Sequence, residues 1–165
     1  MRYYTGVGSR ATPAYVMEMM EEIAIECEKK DLILRSGGAD GADTAFENGA
    51  GESKEIYIPW KGFNGSSSFR YESSPEAEKI ARTIHPKWGS LSYGGKALHT
   101  RNVHQVLGQN LNEPSDFLVC WTENAKDVGG TATAIKLARK NNIPIFNLGN
   151  LIEYDKVMRH LKDNY

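Results

Sequence analysis

Along this chain, short continuous apolar runs alternate with stretches whose apolar residues recur every three or four positions, so strand-like and helix-like segments take turns. Arg2-Tyr3-Tyr4-Thr5-Gly6-Val7 reads as a first strand. Gly8-Ser9-Arg10 then turns into a helix announced by Thr12 at the cap and Pro13 at the first helical position. That helix carries Val16, Met19, Met20, Ile23 and Cys27 on one stripe, with Glu18, Glu21, Glu22 and Glu26 largely elsewhere. Leu32 to Ser36 predicts a second strand that breaks into small residues and resumes at helical spacing, and Glu55-Ile56-Tyr57-Ile58-Pro59 a third, stopped by proline. Further on, a helix is expected from Lys96 to about Gln109. Asp116 to Trp121 has the unbroken apolar character of a strand buried on both faces. A helix from Ala132 to Lys140, a strand from Ile143 to Asn147 and a closing helix from Leu151 to Leu161 complete the alternation.

Strands alternating with helices imply right-handed crossovers, an α/β class and a mainly parallel sheet with helices on both faces. Neither a repeat nor a linker divides the chain, so a single domain over residues 1–165 is expected. The segment from about 60 to 95 departs from the pattern. It is rich in Gly and Ser and carries Trp60, Phe63, Phe69, Tyr71, Trp88 and Tyr93 among few aliphatics. Within it, Ser74-Pro75-Glu76 has the cap, proline and acidic first turn of a helix running to about Ile84. Its aromatic density argues against disorder and for a partly mobile lid.

Composition narrows the function. A net charge of −1 with mixed signs provides no field that would draw the chain nonspecifically onto DNA. Cys27 and Cys120 lie in an amphipathic helix and an apolar strand without metal spacing, which predicts buried free thiols and a reducing cytoplasm. No apolar run approaches the roughly 20 residues of a membrane span. His85, His99 and His104 lack cysteine partners and the spacing that would put them on one helix face, so neither a metal nor a cofactor is expected.

The candidate chemistry lies in the turns after the strands. In a parallel sheet these gather on one edge, so Gly8-Ser9-Arg10, Ser36-Gly37-Gly38-Ala39-Asp40 and Gly129-Gly130-Thr131 should converge. Glycines let a ligand approach the backbone, and the N–H groups that open each helix suit anions or hydroxyls. Asp40 and Asp43 have two readings. They can cap the helix reciprocally, or they can accept hydrogen bonds from ribose hydroxyls or a base amine. Arg10 is placed to grip a phosphate with two bonds, the alternative being a surface salt bridge. Arg101 and Asn102 are candidate contacts, unless His99, Arg101 and His104 are simply a solvated helix face. Trp60, Trp88 and Tyr93 are candidates for stacking on a purine, with packing as the alternative. The spacing matches neither the dinucleotide fingerprint GxGxxG nor the P-loop, which disfavours ordinary NAD binding and NTP hydrolysis.

The ordered set Gly6-Val7-Gly8-Ser9-Arg10, Ser36-Gly37-Gly38-Ala39-Asp40-Gly41-Ala42-Asp43, Arg101-Asn102 in a helix and Gly129-Gly130-Thr131-Ala132-Thr133-Ala134 resembles the SLOG superfamily. That group holds the DNA-processing protein DprA and the LOG phosphoribohydrolases. The resemblance covers most of the chain and implies one nucleotide-binding Rossmann-like domain, often a homodimer or higher homo-oligomer in relatives. Two departures matter. LOG enzymes carry a glutamate in a PGGxGTxxE pattern, whereas Thr131, Ala132, Thr133, Ala134 and Ile135 follow the glycines here. Asp43, Glu47 or Glu123 would have to substitute. DprA-like proteins surround the core with accessory domains and use a basic surface for single-stranded DNA; the expectation here is a chain without accessory domains and without a strong basic excess, which ranks a DNA role lower.

The leading expectation is therefore a protein that binds a nucleotide-derived small molecule, ADP-ribose-like or a cyclic nucleotide, and senses or sequesters it. A phage-encoded protein acting in the host cytoplasm would do so to remove an immune signal. An N-glycosidic hydrolase of the LOG or deoxyribosyltransferase kind ranks second, and DprA-like single-stranded DNA binding third.

Overall fold

The computed structural model describes all residues, 1–165. Five strands, β1 (Arg2–Gly6), β2 (Leu32–Ser36), β3 (Lys54–Ile56), β4 (Phe117–Cys120) and β5 (Ile145–Asn147), form one sheet in the order β3-β2-β1-β4-β5. Every pairing is parallel. Six helices connect and close them: α1 (Ala14–Lys29), α2 (Ala42–Ala50), α3 (Pro75–Ile84), α4 (Tyr93–Leu107), α5 (Ala132–Lys140) and α6 (Ile152–Asn164). The expected α/β architecture with a parallel sheet is the observed one, and it is Rossmann-like.

Side-chain alternation along the strands sorts the core into two layers. Phe117 and Val119 of β4 join Tyr4, Leu34, Phe46, Met20, Ile23 and Val157 beneath α1, α2 and α6. Leu118 and Cys120 point the other way, into Val103, Val106, Ala77, Ala81 and Leu137 of α3, α4 and α5. β4 is thus buried on both faces, as its continuous apolar run requires, whereas the edge strands β3 and β5 stay partly exposed. Cys27 and Cys120 are both buried free thiols.

Several boundaries differ from those expected, each for a local reason. Pro13 is the cap of α1 rather than its first residue, because the Thr12 hydroxyl donates to the Ser9 carbonyl at 2.6 Å instead of capping the helix. α4 starts at Tyr93, since Ser92 accepts from the Gly95 N–H, and it ends at Leu107 before Gly108 at φ +85°. β3 is shorter than Glu55 to Pro59, and beyond it only Tyr57 bridges, to Arg70. β5 loses Ile143 and Pro144, and α6 runs on to Asn164. The helix opened by Ser74 and Pro75 ends at Ile84, as expected. In the insert it is joined by two short 3-10 turns, Phe63–Gly65 and Trp88–Ser90.

Candidate functional site

The chain builds outward from β1 to β3, then returns to the far side of β1 for β4 and β5. At that reversal the loops after β1 and β4 diverge, and a crevice opens at the carboxyl ends of the strands. A cleft of about 780 Å³ fills it. Gly8, Ser9 and Arg10 form one wall and Gly129, Gly130 and Thr131 another, Ala39 and Asp43 face them from the second turn, and Trp60 and Phe63 come from the insert.

Backbone donors line the rim. The N–H groups of Gly129 and Gly130 are the first donors of the 3-10 turn that leads into α5 and so precede its internal bonds. Gly129 adopts φ +69° there. Gly8 is small for a different reason: a Cβ on it would stand 2.7 Å from that of Ala42 and 3.2 Å from the Trp121 carbonyl. Arg10 is exposed and forms no salt bridge, so its guanidinium is uncommitted.

The floor is polar and buried. Arg101 Nη1 donates to the carbonyls of Gly37 and Tyr57, the latter at 3.0 Å, and its Nε donates to Asn102 Oδ1 at 3.0 Å. Asn102 Nδ2 in turn donates to the Gly130 carbonyl at 2.6 Å. Adjacent residues of α4 therefore tie the turn after β2 to the turn before α5 and fix the width of the cleft. Both are 6% exposed, which removes the solvated-face reading; His99 and His104 are buried with them. Burial, then the nearby His85, lowers the His99 imidazole to about 4, and its Nδ1 lies 2.7 Å from the Thr133 hydroxyl. Arg101 Nη2 has no protein partner, and Gln105, one turn on, borders the cleft with an unpartnered Oε1.

Asp43 is 4% exposed and accepts from the Ala39 N–H at 3.1 Å. This bond reaches past Asp40 to Ala39, so neither half of the expected capping box forms. Gly41 occupies the cap position, and the Asp40 carboxylate instead accepts from Asn64 Nδ2. Burial pushes the Asp43 carboxyl up to about 6, against the opposing pull of Arg101, the Ala39 N–H and Ser36.

Of the residues expected to converge, Gly8, Ser9, Arg10, Ala39, Asp43, Arg101, Asn102, Gly129, Gly130, Thr131 and Trp60 border the cleft. Ser36, Gly37 and Gly38 lie behind it: the Ser36 hydroxyl donates to the Gly6 carbonyl, and Gly37 lends its carbonyl to Arg101. Asp40 borders a smaller adjoining cavity. Trp88 is not in the cleft, because it packs against the α3, α4 and α5 layer, with Lys96 Nζ 6.0 Å from its ring centre. Tyr93 stands exposed outside the lining. Glu123 borders the cleft, whereas Glu47 pairs with Lys54 away from it. Gln105 and Phe63 were not expected. Gln105 follows Arg101 by four positions, a spacing that places both on one helix face; Phe63 carried no signal beyond its aromaticity. No group of three or more His, Cys, Asp or Glu side chains is arranged to hold a metal ion, and no helix is long and apolar enough to cross a membrane.

The chain matches no protein-family model and no curated protein. Among solved structures it is similar to DNA processing protein A from Helicobacter pylori, described for its single-stranded DNA binding mode. The similarity spans 99% of this chain and 82% of that one, at 19% identity and a TM-score of 0.61. That likeness supports the DprA-like fold.

Proposed function

We propose that this protein binds a nucleotide-derived small molecule, ADP-ribose-like or a cyclic nucleotide, in the cleft at the β1/β4 reversal. The observation that carries the reading is the pairing of uncommitted donors with buried acceptors in one cavity. Arg10 forms no salt bridge and the N–H groups of Gly129 and Gly130 precede the internal bonds of their turn, while Asp43 and Gln105 offer oxygens at the floor. Phosphates suit the first set and ribose hydroxyls the second. A cavity of about 780 Å³ is in the range that encloses a ligand of that size. Binding without turnover would serve sensing or sequestration, and the missing glutamate after Gly130 favours it over cleavage. Thermal shift and calorimetry against ADP-ribose, cyclic nucleotides and dinucleotides test the reading. Stabilisation by at least one at millimolar concentration or below is expected, and a uniformly flat response would refute it.

Single-stranded DNA binding is the second reading, favoured by the fold shared with DNA processing protein A. It requires a basic track, and at a net charge of −1 only a local patch can supply one. Salt-sensitive retardation of an oligonucleotide in a gel would support it, and no retardation at low salt would dismiss it. For N-glycosidic hydrolysis, Asp43 and Glu123 are the carboxylates within the cleft. Release of free base from nucleoside monophosphates is its readout.

A further inference from the structure

A second cavity of about 260 Å³ adjoins the cleft and is bordered by Arg10, Ala39, Asp40, Trp60, Phe63 and Asn64. Four of these residues border the main cleft as well, so the two spaces meet along Arg10 and the aromatic pair rather than lying apart. We propose that the site takes a two-headed, dinucleotide-type ligand: one nucleotide in the main cleft, phosphates at Arg10, and a second planar ring seated between Trp60 and Asn64. The proposal rests on the nucleotide reading above and adds what the second head must be.

Three features specify that head. Trp60 and Phe63 meet edge to face, with ring centres 5.3 Å apart and an interplanar angle of 85°, and Trp60 keeps 44% of its surface exposed, leaving apolar area for a flat ring to cover. The polar border is one-sided in its chemistry. Asn64 Nδ2 is already spent on the Gly38 carbonyl at 3.0 Å and Asp40 Oδ1 at 3.1 Å. What remains is Asn64 Oδ1 and Asp40 Oδ2, both acceptors, one of them on a carboxylate. A ring presenting adjacent N–H donors fits, as the amino and ring N–H of a guanine-type edge do, whereas a second phosphate or a carboxylate would be repelled. Arg10, uncommitted and common to both cavities, is placed for the anionic link between the two heads.

Calorimetry on the full chain with AMP, ADP-ribose and the diphosphate-linked dinucleotide of adenosine and guanosine tests this. The dinucleotide is expected to bind at least tenfold more tightly than AMP, with ADP-ribose, which has the diphosphate without the second base, in between. Asn64→Gly accommodates the positive φ of that position and deletes the amide; Trp60→Ala removes the apolar wall. Each should erase most of the dinucleotide's advantage; Asn64→Gly, outside the main cleft, should also leave AMP binding within about twofold, whereas Trp60, which borders both cavities, is read only through the ratio of dinucleotide to AMP affinity, with melting temperatures confirming that both variants fold. A dinucleotide that binds no better than AMP, or an advantage that survives both substitutions, overturns the second subsite while leaving the cleft reading intact. If none of the three compounds binds, the second subsite fails, and the cleft reading fails with it when cyclic nucleotides also leave the melting temperature unchanged.

Discussion

Arg101 and Asp43 flank one point in the cleft floor without forming an ion pair. A Cβ built on Gly37 would lie 2.7 Å from Arg101 Nη1 and 2.8 Å from Asp43 Oδ2. Arg101 spends its hydrogen bonds on carbonyls and Asn102, and Asp43 on a backbone N–H. A buried cation and a buried carboxyl thus face a common space, and the Gly37 position has to stay empty.

Gly37→Ala should therefore overpack that space, although Gly37, unlike Gly38, has no positive φ that demands glycine. The Arg101 guanidinium or the Gln105 amide must move, at a cost of roughly 1–3 kcal/mol. Chemical denaturation should show a lower midpoint with an unchanged slope. Nucleotide binding should weaken in the same variant, since Arg101 holds both walls.

The Asp43 carboxyl sits at about 6 in the fold against an ordinary 3.8, so the folded state holds its proton more firmly than the unfolded chain does. Its contribution is fully present below about 3.8 and is lost as pH rises through about 6, a cost on the order of 3 kcal/mol above that range. Asp43→Asn keeps an acceptor for the Ala39 N–H and has no charge to desolvate. It should raise stability at pH 8 by about 1–3 kcal/mol and have no effect near pH 4. Melting curves of both proteins from pH 4 to 8 check this, and parallel curves would contradict the shift. Ligand binding should nevertheless weaken in the variant, because ribose hydroxyls lose a charged acceptor.

The central strand β4 was legible because both of its faces are covered, which leaves the uninterrupted run Phe117-Leu118-Val119-Cys120. The glycine turns were legible because few residue types fit where backbone approaches backbone, as Gly8 does at Trp121. What stayed hidden depends on distant partners. Asp40 has the chemistry of a cap, yet Asn64, 24 residues on, supplies the donor it accepts from. Trp88 and Trp60 look alike in sequence, and only the packing of the chain decides that one lies half-buried against the α3, α4 and α5 layer and the other borders the cleft. Sequence leaves Arg101 open between a ligand contact and a solvated helix face, and only the Gly37 and Tyr57 carbonyls that enclose it remove the second.

Arg10→Ala separates binding from folding. The side chain is exposed and has no partner in the protein, so its loss should leave the melting temperature unchanged within error. Its charge-assisted bonds to a phosphate carry roughly 1.5–3 kcal/mol, equivalent to about tenfold to more than a hundredfold in affinity. Titration of the ligand identified by thermal shift measures this. Wild-type affinity in the variant would mean that phosphate lies elsewhere, at the N–H groups before α5.

Asn102→Ala should behave differently from Arg10→Ala, because Asn102 links two loops. Its Nδ2 holds the Gly130 carbonyl at 2.6 Å and its Oδ1 holds Arg101 Nε at 3.0 Å. Removing the amide releases the Gly130 carbonyl to solvent and leaves the buried Arg101 guanidinium one acceptor short, a cost of about 1–3 kcal/mol, or roughly 2–12 °C in melting temperature for a chain of this size. The turn before α5 also loses its tether, so the N–H groups of Gly129, Gly130 and Thr131 are no longer held in one arrangement. Affinity should fall together with stability, and hydrogen exchange should rise at Ala132, whose N–H donates to the Gly129 carbonyl. Asn102→Asp refines the test. It retains the acceptor for Arg101 but sets a carboxylate against the Gly130 carbonyl, so a tether through Nδ2 predicts that it loosens the same residues as Asn102→Ala. Wild-type protection of the Ala132 N–H in Asn102→Asp would show that the bond to Arg101 alone positions the site.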